Sequence, residues 1–342
     1  MIILMQFGAS AEQIDAVATA IRNHGVDPSV LPGEDRVAIG IPASLNNDQR
    51  TDIEAQVGAM EGVSKITQTS RPYKLASREF HREDTIVEVK GVRIGQGTFV
   101  IMGGPCSVES LEQFREAAHL IKDSGATVLR GGAFKPRTSP YSFQGLAEEG
   151  LKIMQDIGDE TGLVTISEVM SGDMVGLVSK YVDILQIGAR SMQNFPLLIE
   201  AGKSGKPVFL KRGPSASIDD FLLAAEYVLS QGNPNVILCE RGVIPLDKGY
   251  VRNTLDLSAV PVLKEVTHLP VIVDPSHGTG VARYVAPMSK AALVAGADGL
   301  MIEMHPHPQK ALSDGSQALT PEQFSSLMAE LKQLGSAVGV AV

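Results

Sequence analysis

The chain has 342 residues, of which 44% are apolar and 20% charged, with 39 Asp and Glu against 30 Lys and Arg and a net charge of −9. That length fits one large domain, or a large one with a small companion, and the acidity argues against general binding to nucleic acid or to an anionic membrane surface. Cys106 and Cys239 stand far apart in apolar runs, so no disulfide framework is expected; no stretch is long enough to span a bilayer, and MIILMQFGAS lacks the basic start of a signal peptide, which points to the cytoplasm.

Residues 1–68 read as one unit. A short strand at 2–5 is followed by helical spacing over 11–24, with Ile14, Val17, Ala18 and Ile21 on one face. Extended runs near 26–30 and 36–41, a weaker helical pattern over 49–60 and a last run from Gly62 complete a β-α-β-β-α-β order, the ferredoxin-like split unit. The unit holds no catalytic constellation. His24, its one candidate, suits a dipole partner at a helix end. Residues 71–84, polar and basic with a proline, read as a linker. Runs at 85–89 and 92–94 around Lys90-Gly91 predict a hairpin.

From Phe99 onward eight apolar runs alternate with helical stretches: FVIMGG, TVLRGG, LVTISEV, DILQIGA, PVFLKRG, NVILCERG, PVIVDPSH and DGLMIEMH. Strands apolar throughout belong to a parallel sheet covered on both faces. Eight such units over 85–342 predict a (β/α)8 barrel, so the fold class is α/β with a small N-terminal α+β domain. An open doubly wound sheet would favour GxGxxG after its first strand, and this chain has GGPCS there.

Barrel active sites are built at the C-terminal ends of the strands. Those ends carry two sets of groups. Arg130, Lys135, Arg137, Arg190, Lys211 and Arg241 are cations that would repel one another without anions, and phosphate or carboxylate is the natural ligand of such groups. Their number suits two anionic substrates or one with several anionic groups. Arg212, Glu240 and Asp274 also stand at strand ends. The second set, Cys106, His277, Glu303 and Asp314, offers thiolate, imidazole and carboxylate donors for a divalent transition ion. Taken singly, Cys106 also reads as a small buried hydrophobe and His277 as an acid–base or phosphate-binding group. Cys239, inside a strand, reads as core. His305 and His307, in HPHP beside Glu303, are a further pair in a structured loop.

The motifs GPCSVES, LRGGAFKPRTSPYSFQG, QIGARSMQNF, LKRG, CERG, RNTLDLSAVP, DPSHGTG, GADGLMIEMHP and ALSDGSQAL together resemble the type I 3-deoxy-D-arabino-heptulosonate 7-phosphate (DAHP) synthase family, in the branch related to 3-deoxy-octulosonate 8-phosphate (KDO8P) synthase. The resemblance covers 85–320, and residues 1–70 are similar to the ferredoxin-like regulatory domain some members carry. It implies condensation of phosphoenolpyruvate with erythrose 4-phosphate, the entry step of the shikimate pathway. It assigns Arg130, Lys135, Ala189, Arg190, Lys211 and Arg241 to phosphoenolpyruvate, and Lys135, Pro136, Arg137 and Thr138 to erythrose 4-phosphate. Cys106, His277, Glu303 and Asp314 correspond to the ligands of one divalent ion per subunit (Mn, Fe, Co, Zn or similar). Lys135, Glu168 and His277 take catalytic places, with Lys135 or a metal-bound water as proton donor and Glu168 orienting water and pairing with Lys211. An aromatic amino acid effector and a homo-oligomer, tetramer or dimer, follow from the same resemblance. The segment VIPLDKGYVRNT departs from the aromatic and Thr-containing pattern common after CERG. The sister activity, with arabinose 5-phosphate, is the alternative; KPRT here, in place of a KAN-type segment, favours the four-carbon aldose.

Overall fold

The computed structural model describes residues 1–342 except 33–35, 44, 68–70 and 137–138. The chain divides into two compact units: Met1–Glu83 with Val266–His268, and Asp84–Glu265 with Leu269–Val342.

The first unit carries an antiparallel sheet of β1 (Ile2–Met5), β2 (Ser29–Pro32), β3 (Val37–Gly40) and β4 (Val63–Thr67), in the order β2-β3-β1-β4. Helices Ala11–Arg22 and Asn47–Gly58 start at capping boxes, Ser10 with Gln13 and Asn46 with Gln49, which satisfy backbone N–H groups left open at a helix start. Val17, Ile21, Ile53 and Val57 pack with Ile3, Met5, Ile39 and Ile41 into one core. This is the ferredoxin-like unit. His24 lies past its helix and hydrogen-bonds Gln56 at 2.7 Å. Segment 71–83, read as a linker from its polarity, is packed within this unit: Tyr73 and Ala76 are fully buried, as Phe80 nearly is.

In the second unit, β5 (Val87–Val89) and β6 (Val92–Ile94) form the predicted hairpin. Its two-residue turn has φ +48° at Lys90 and +81° at Gly91, the signs a type I′ turn requires. Eight parallel strands follow: β7 (Val100–Gly104), β8 (Val128–Arg130), β9 (Val164–Glu168), β10 (Ile184–Ile187), β11 (Val208–Lys211), β12 (Val236–Glu240), β13 (Val271–Val273) and β14 (Gly299–Glu303). They pair in chain order and β14 closes on β7, so the sheet has no open edge.

Because side chains alternate across a strand, every second residue enters the barrel. Val100, Met102, Val128, Val164, Ile166, Ile184, Phe209, Ile237, Cys239, Ile272 and Met301 fill it. Val87, Val89 and Ile94 of the hairpin join the same cluster. Lys90, at the hairpin tip, pairs at 3.0 Å with Asp183, just before β10, so the hairpin plugs the N-terminal end. The opposite end is left for function.

Candidate active site at the C-terminal mouth of the barrel

The same alternation, carried one step further along each strand, delivers the polar groups. Beyond Val128 comes Arg130; beyond Ile166, Glu168; beyond Ile184, Gln186; beyond Phe209, Lys211; beyond Cys239, Arg241; beyond Ile272, Asp274; and beyond Met301, Glu303. On β7 and after β10 the corresponding places are Gly104 and Gly188. A Cβ on Gly104 would stand 2.3 Å from the Arg130 carbonyl oxygen, and one on Gly188 2.0 Å from Glu168 Oε1. These glycines leave room for the groups beside them. A cavity of about 260 Å³ lies above this layer, with Ile166 in its wall and Arg130, Lys135, Glu168, Arg190, Lys211 and Arg241 around it.

The cations differ in what neutralises them. Arg130 Nη1 bonds Glu303 Oε1 at 2.9 Å and the Pro105 carbonyl at 2.7 Å, while its buried Nε has no partner among the described residues. Lys211 Nζ bonds Asp274 Oδ2 at 2.7 Å. The expected Glu168–Lys211 pair is therefore replaced: Lys211 belongs to Asp274, and Glu168 accepts instead from Gln186 Nε2 at 3.3 Å. Two of the cations thus have counter-charges within the protein, Glu303 for Arg130 and Asp274 for Lys211. Lys135, Arg190 and Arg241 have no carboxylate within 4.0 Å among the described residues. Arg190 Nη1 donates to the Pro136 carbonyl at 3.0 Å, which ties the loop after β10 to the loop after β8. Ala189 and Pro136 line the cavity; Arg137 and Thr138 lie outside the described residues. Arg212, next to Lys211, takes the opposite face of the strand and bonds Glu240 at 2.8 Å and Asp256 at 2.9 Å, a packing role away from the cavity.

Cys106, Glu303 and Asp314 bring Sγ and carboxylate oxygens within 4.8 Å of one another. His277 joins them through Nε2, 3.3 Å from Glu303 Oε1, while its Nδ1 lies 2.8 Å from Asp274 Oδ2. A proton on Nδ1 directed to that carboxylate leaves the Nε2 lone pair facing the cluster, the arrangement usual for a metal-binding imidazole. Asp274 also caps the short helix Pro275–Thr279 by accepting from His277 N, so one side chain sets both position and orientation of the ring. A soft thiol with an imidazole and two carboxylates fits a divalent ion of the first transition row. His305 faces away: its Nδ1 accepts from His307 N at 2.9 Å and its Nε2 meets Glu109 at 3.4 Å.

Burial is the largest single influence on the electrostatics of these groups. Burial pushes the Cys106 thiol up to about 11, with the Glu303 charge adding to it, although Lys135 Nζ is only 3.0 Å from the sulfur. In this state the thiol donates to Asp314 Oδ2 at 3.2 Å. Burial also lowers the His277 pKa, which favours a neutral ring able to ligate. For Asp274 burial works the other way, but the Lys211 ammonium and the hydrogen bonds from His277 outweigh it and hold the carboxyl well below its usual range.

Several contributors had no role in the sequence reading. Gln186 is reachable by counting alternation one step past Ile184. Arg252 and Gln317 lie in loops: Arg252 Nη1 bonds Gln317 Oε1 at 3.0 Å and lies 3.6 Å from Asp314, and Gln317 Nε2 donates to Glu303 Oε2 at 2.6 Å. No periodic signal leads to them.

Residues 79–339 match the DAHP synthetase I family, and residues 1–71 match the DAHP synthase ferredoxin-like domain. A phospho-2-dehydro-3-deoxyheptonate aldolase of Thermotoga maritima is 45% identical over 342 residues, covering all of both chains. A 2-dehydro-3-deoxyphosphooctonate aldolase of Syntrophobacter fumaroxidans is 34% identical over 262 residues, 71% of this chain and 90% of the relative. The crystal structure of the Thermotoga maritima aldolase (DAHP synthase) superposes with a TM-score of 0.79 at 44% identity, covering 100% of this chain and 98% of that one.

Proposed function

The chain belongs to the DAHP synthetase I family, and from that premise we propose that it condenses phosphoenolpyruvate with D-erythrose 4-phosphate and water, giving 3-deoxy-D-arabino-heptulosonate 7-phosphate and inorganic phosphate. One observation carries this reading. Three cations without acidic partners among the described residues, Lys135, Arg190 and Arg241, line the same cavity as Cys106, His277 and Asp314. An anion-binding surface and a set of metal donors face one space large enough for small phosphorylated molecules.

In this reading Arg190, Lys211 and Arg241 receive the phosphate and carboxylate of phosphoenolpyruvate, and the unpaired Nε of Arg130 adds a donor. The segment from Lys135 to Thr138 receives the aldose phosphate. A divalent ion held by Cys106, His277, Glu303 and Asp314 would supply Lewis acidity toward the aldehyde. Carbon 3 of phosphoenolpyruvate bonds to the aldehyde carbon, and Lys135 gives a proton to the resulting alkoxide. Glu168, steadied by Gln186, orients the water that adds at carbon 2, and inorganic phosphate leaves from that carbon. The ferredoxin-like unit binds an aromatic amino acid that inhibits the enzyme, and the chain works as a homo-oligomer, a tetramer or dimer, in the cytoplasm. A chain beginning at Thr85 should lose such inhibition; inhibition that survives would remove the regulatory assignment.

The relatives named 2-dehydro-3-deoxyphosphooctonate aldolase support a second reading, with arabinose 5-phosphate as the aldose. They match about 70–74% of this chain, whereas the heptonate relative matches all of it at higher identity. Phosphate release from phosphoenolpyruvate decides between them. Turnover with erythrose 4-phosphate should exceed that with arabinose 5-phosphate and should stop after chelation with EDTA. Faster turnover with the five-carbon sugar overturns the choice of aldose; full activity after chelation overturns the metal assignment.

A further inference from the structure

Glu109 belongs to the motif GPCSVES but does not line the cavity, and its side chain is 9% exposed with no Lys or Arg paired to it among the described residues. A carboxylate so placed needs compensation from hydrogen bonds. Each bond it receives comes from a residue adjoining a different member of the metal-type cluster. Ser107, next to Cys106, donates from Oγ to Oε1 at 3.2 Å. Leu312, two residues before Asp314, donates its backbone N–H to Oε1 at 2.9 Å. His305, two residues after Glu303, stands 3.4 Å from Oε2 through Nε2. The His305 ring has a definite tautomer, because its Nδ1 accepts from the His307 backbone N–H; Nε2 carries the proton and donates. Ser107 Oγ and Ser313 Oγ are 2.6 Å apart, which fastens the Asp314 loop a second time.

That fastening has something to resist. Asp314 sits at φ +51°, one of three non-glycine residues with positive φ among those described, in a region that side-chain-bearing residues seldom occupy. A loop free to relax would leave that conformation and carry the carboxylate away from Cys106 Sγ, which it meets at 3.2 Å.

We propose that Glu109 is a positioning residue: it ties together the segments that carry Cys106, Glu303 and Asp314 and holds Asp314 in its left-handed conformation, so that the donor set is assembled before an ion arrives. This inference rests on the metal reading of the site. It separates Glu109 from the substrate-binding cations, since its effect is on ion affinity and not on contact with phosphoenolpyruvate.

Titration of the full chain with Co²⁺, followed by the Cys106 thiolate-to-metal absorbance and by competition with a chelating dye, tests it. Glu109→Ala should weaken Co²⁺ binding by about 10- to 100-fold, the usual effect of losing a partner that orients metal ligands. Excess ion should restore turnover, and the KM for phosphoenolpyruvate should stay nearly constant. Glu109→Gln, which keeps one oxygen to accept from Leu312, should lie nearer the unsubstituted chain than Glu109→Ala does. Ser313→Ala, which cuts a single tie, should give a smaller loss in the same direction and serves if Glu109→Ala does not fold. Unchanged Co²⁺ affinity in folded Glu109→Ala, or in Ser313→Ala where that variant is the one measured, overturns the positioning role. Absence of Co²⁺ binding by the unsubstituted chain overturns the metal reading itself, and the positioning role with it.

Discussion

The two ends of the barrel are made by the same strands in the same inward register, yet one is dry and the other charged. At the N-terminal end, Val100, Val128, Val164 and Ile184 meet Val87, Val89 and Ile94 of the hairpin, and the interior is closed with hydrocarbon. At the C-terminal end, the next inward places hold Arg130, Glu168, Gln186, Lys211, Arg241, Asp274 and Glu303. The difference teaches that the polar layer rests on a finished apolar floor. Charges that would be costly alone are placed where each has a partner or faces the cavity, and rigidity comes from the packing beneath.

If this division is right, substitutions at the two ends should fail in different ways. The largest effect is expected at Asp274, fully buried and bonded to both Lys211 and His277. Asp274→Ala leaves two buried groups without their acceptor and should cost about 3–5 kcal/mol in chemical denaturation, with loss of activity. At the closed end, Ile94→Ala should cost about 2–4 kcal/mol by removing fully buried hydrocarbon, while the KM values of the folded enzyme stay near those of the parent. A large change in KM there would break the division. Gly188→Ala tests the room left for the polar layer: its Cβ would press on Glu168, so we expect about 1–3 kcal/mol of destabilisation and a fall in kcat larger than the change in KM.

The smallest effect concerns a carboxylate on the outer face. Burial raises the Asp256 pKa, but its bond to Arg212 and other hydrogen bonds outweigh this, and the folded value lies below the ordinary one. A depressed folded pKa contributes stability that is present above the unfolded value, near 4, and is lost as pH falls through the folded value. Asp256→Asn should therefore lower the urea midpoint at neutral pH by the equivalent of about 1 kcal/mol and make stability less sensitive to acid below pH ~4. No change in that acid sensitivity would show that Asp256 contributes nothing to it.

Much of the mouth was legible because a barrel turns sequence period into position. Once FVIMGG, LVTISEV and DGLMIEMH are read as strands, their ends must meet at one place, and Glu168 and Glu303 fall into it. Pairings were less legible. Strand β11 stands two strands from β9 on one side and two from β13 on the other, so Asp274 is as near to Lys211 in strand order as Glu168, the partner expected from the sequence. Only the backbone geometry, which aims Asp274 Oδ2 at Nζ, decides between them. Distinguishing Lys211 from Arg212 required the register, because adjacent residues point to opposite faces. Arg252, Gln317 and Glu109 were out of reach for another reason: loop residues carry no period, and their bonds run to residues 65, 14 and 203 positions away. The packing of 71–83 escaped for a related cause, since Tyr73, Ala76 and Phe80 are buried within a segment whose composition is mostly polar.

One oxygen atom ties the mouth together. Asp274 Oδ2 lies 2.7 Å from Lys211 Nζ and 2.8 Å from His277 Nδ1. An anion that draws on the Lys211 ammonium alters what that oxygen offers to the imidazole, and a cation that draws on the imidazole alters what it offers to Lys211. If both sides take ligands as proposed, occupancy of one would change affinity on the other by the same factor, as linkage requires. On the proposed function, an ion and phosphoenolpyruvate would share the strength of the filled site through this single lone-pair-bearing atom, in whichever order they entered.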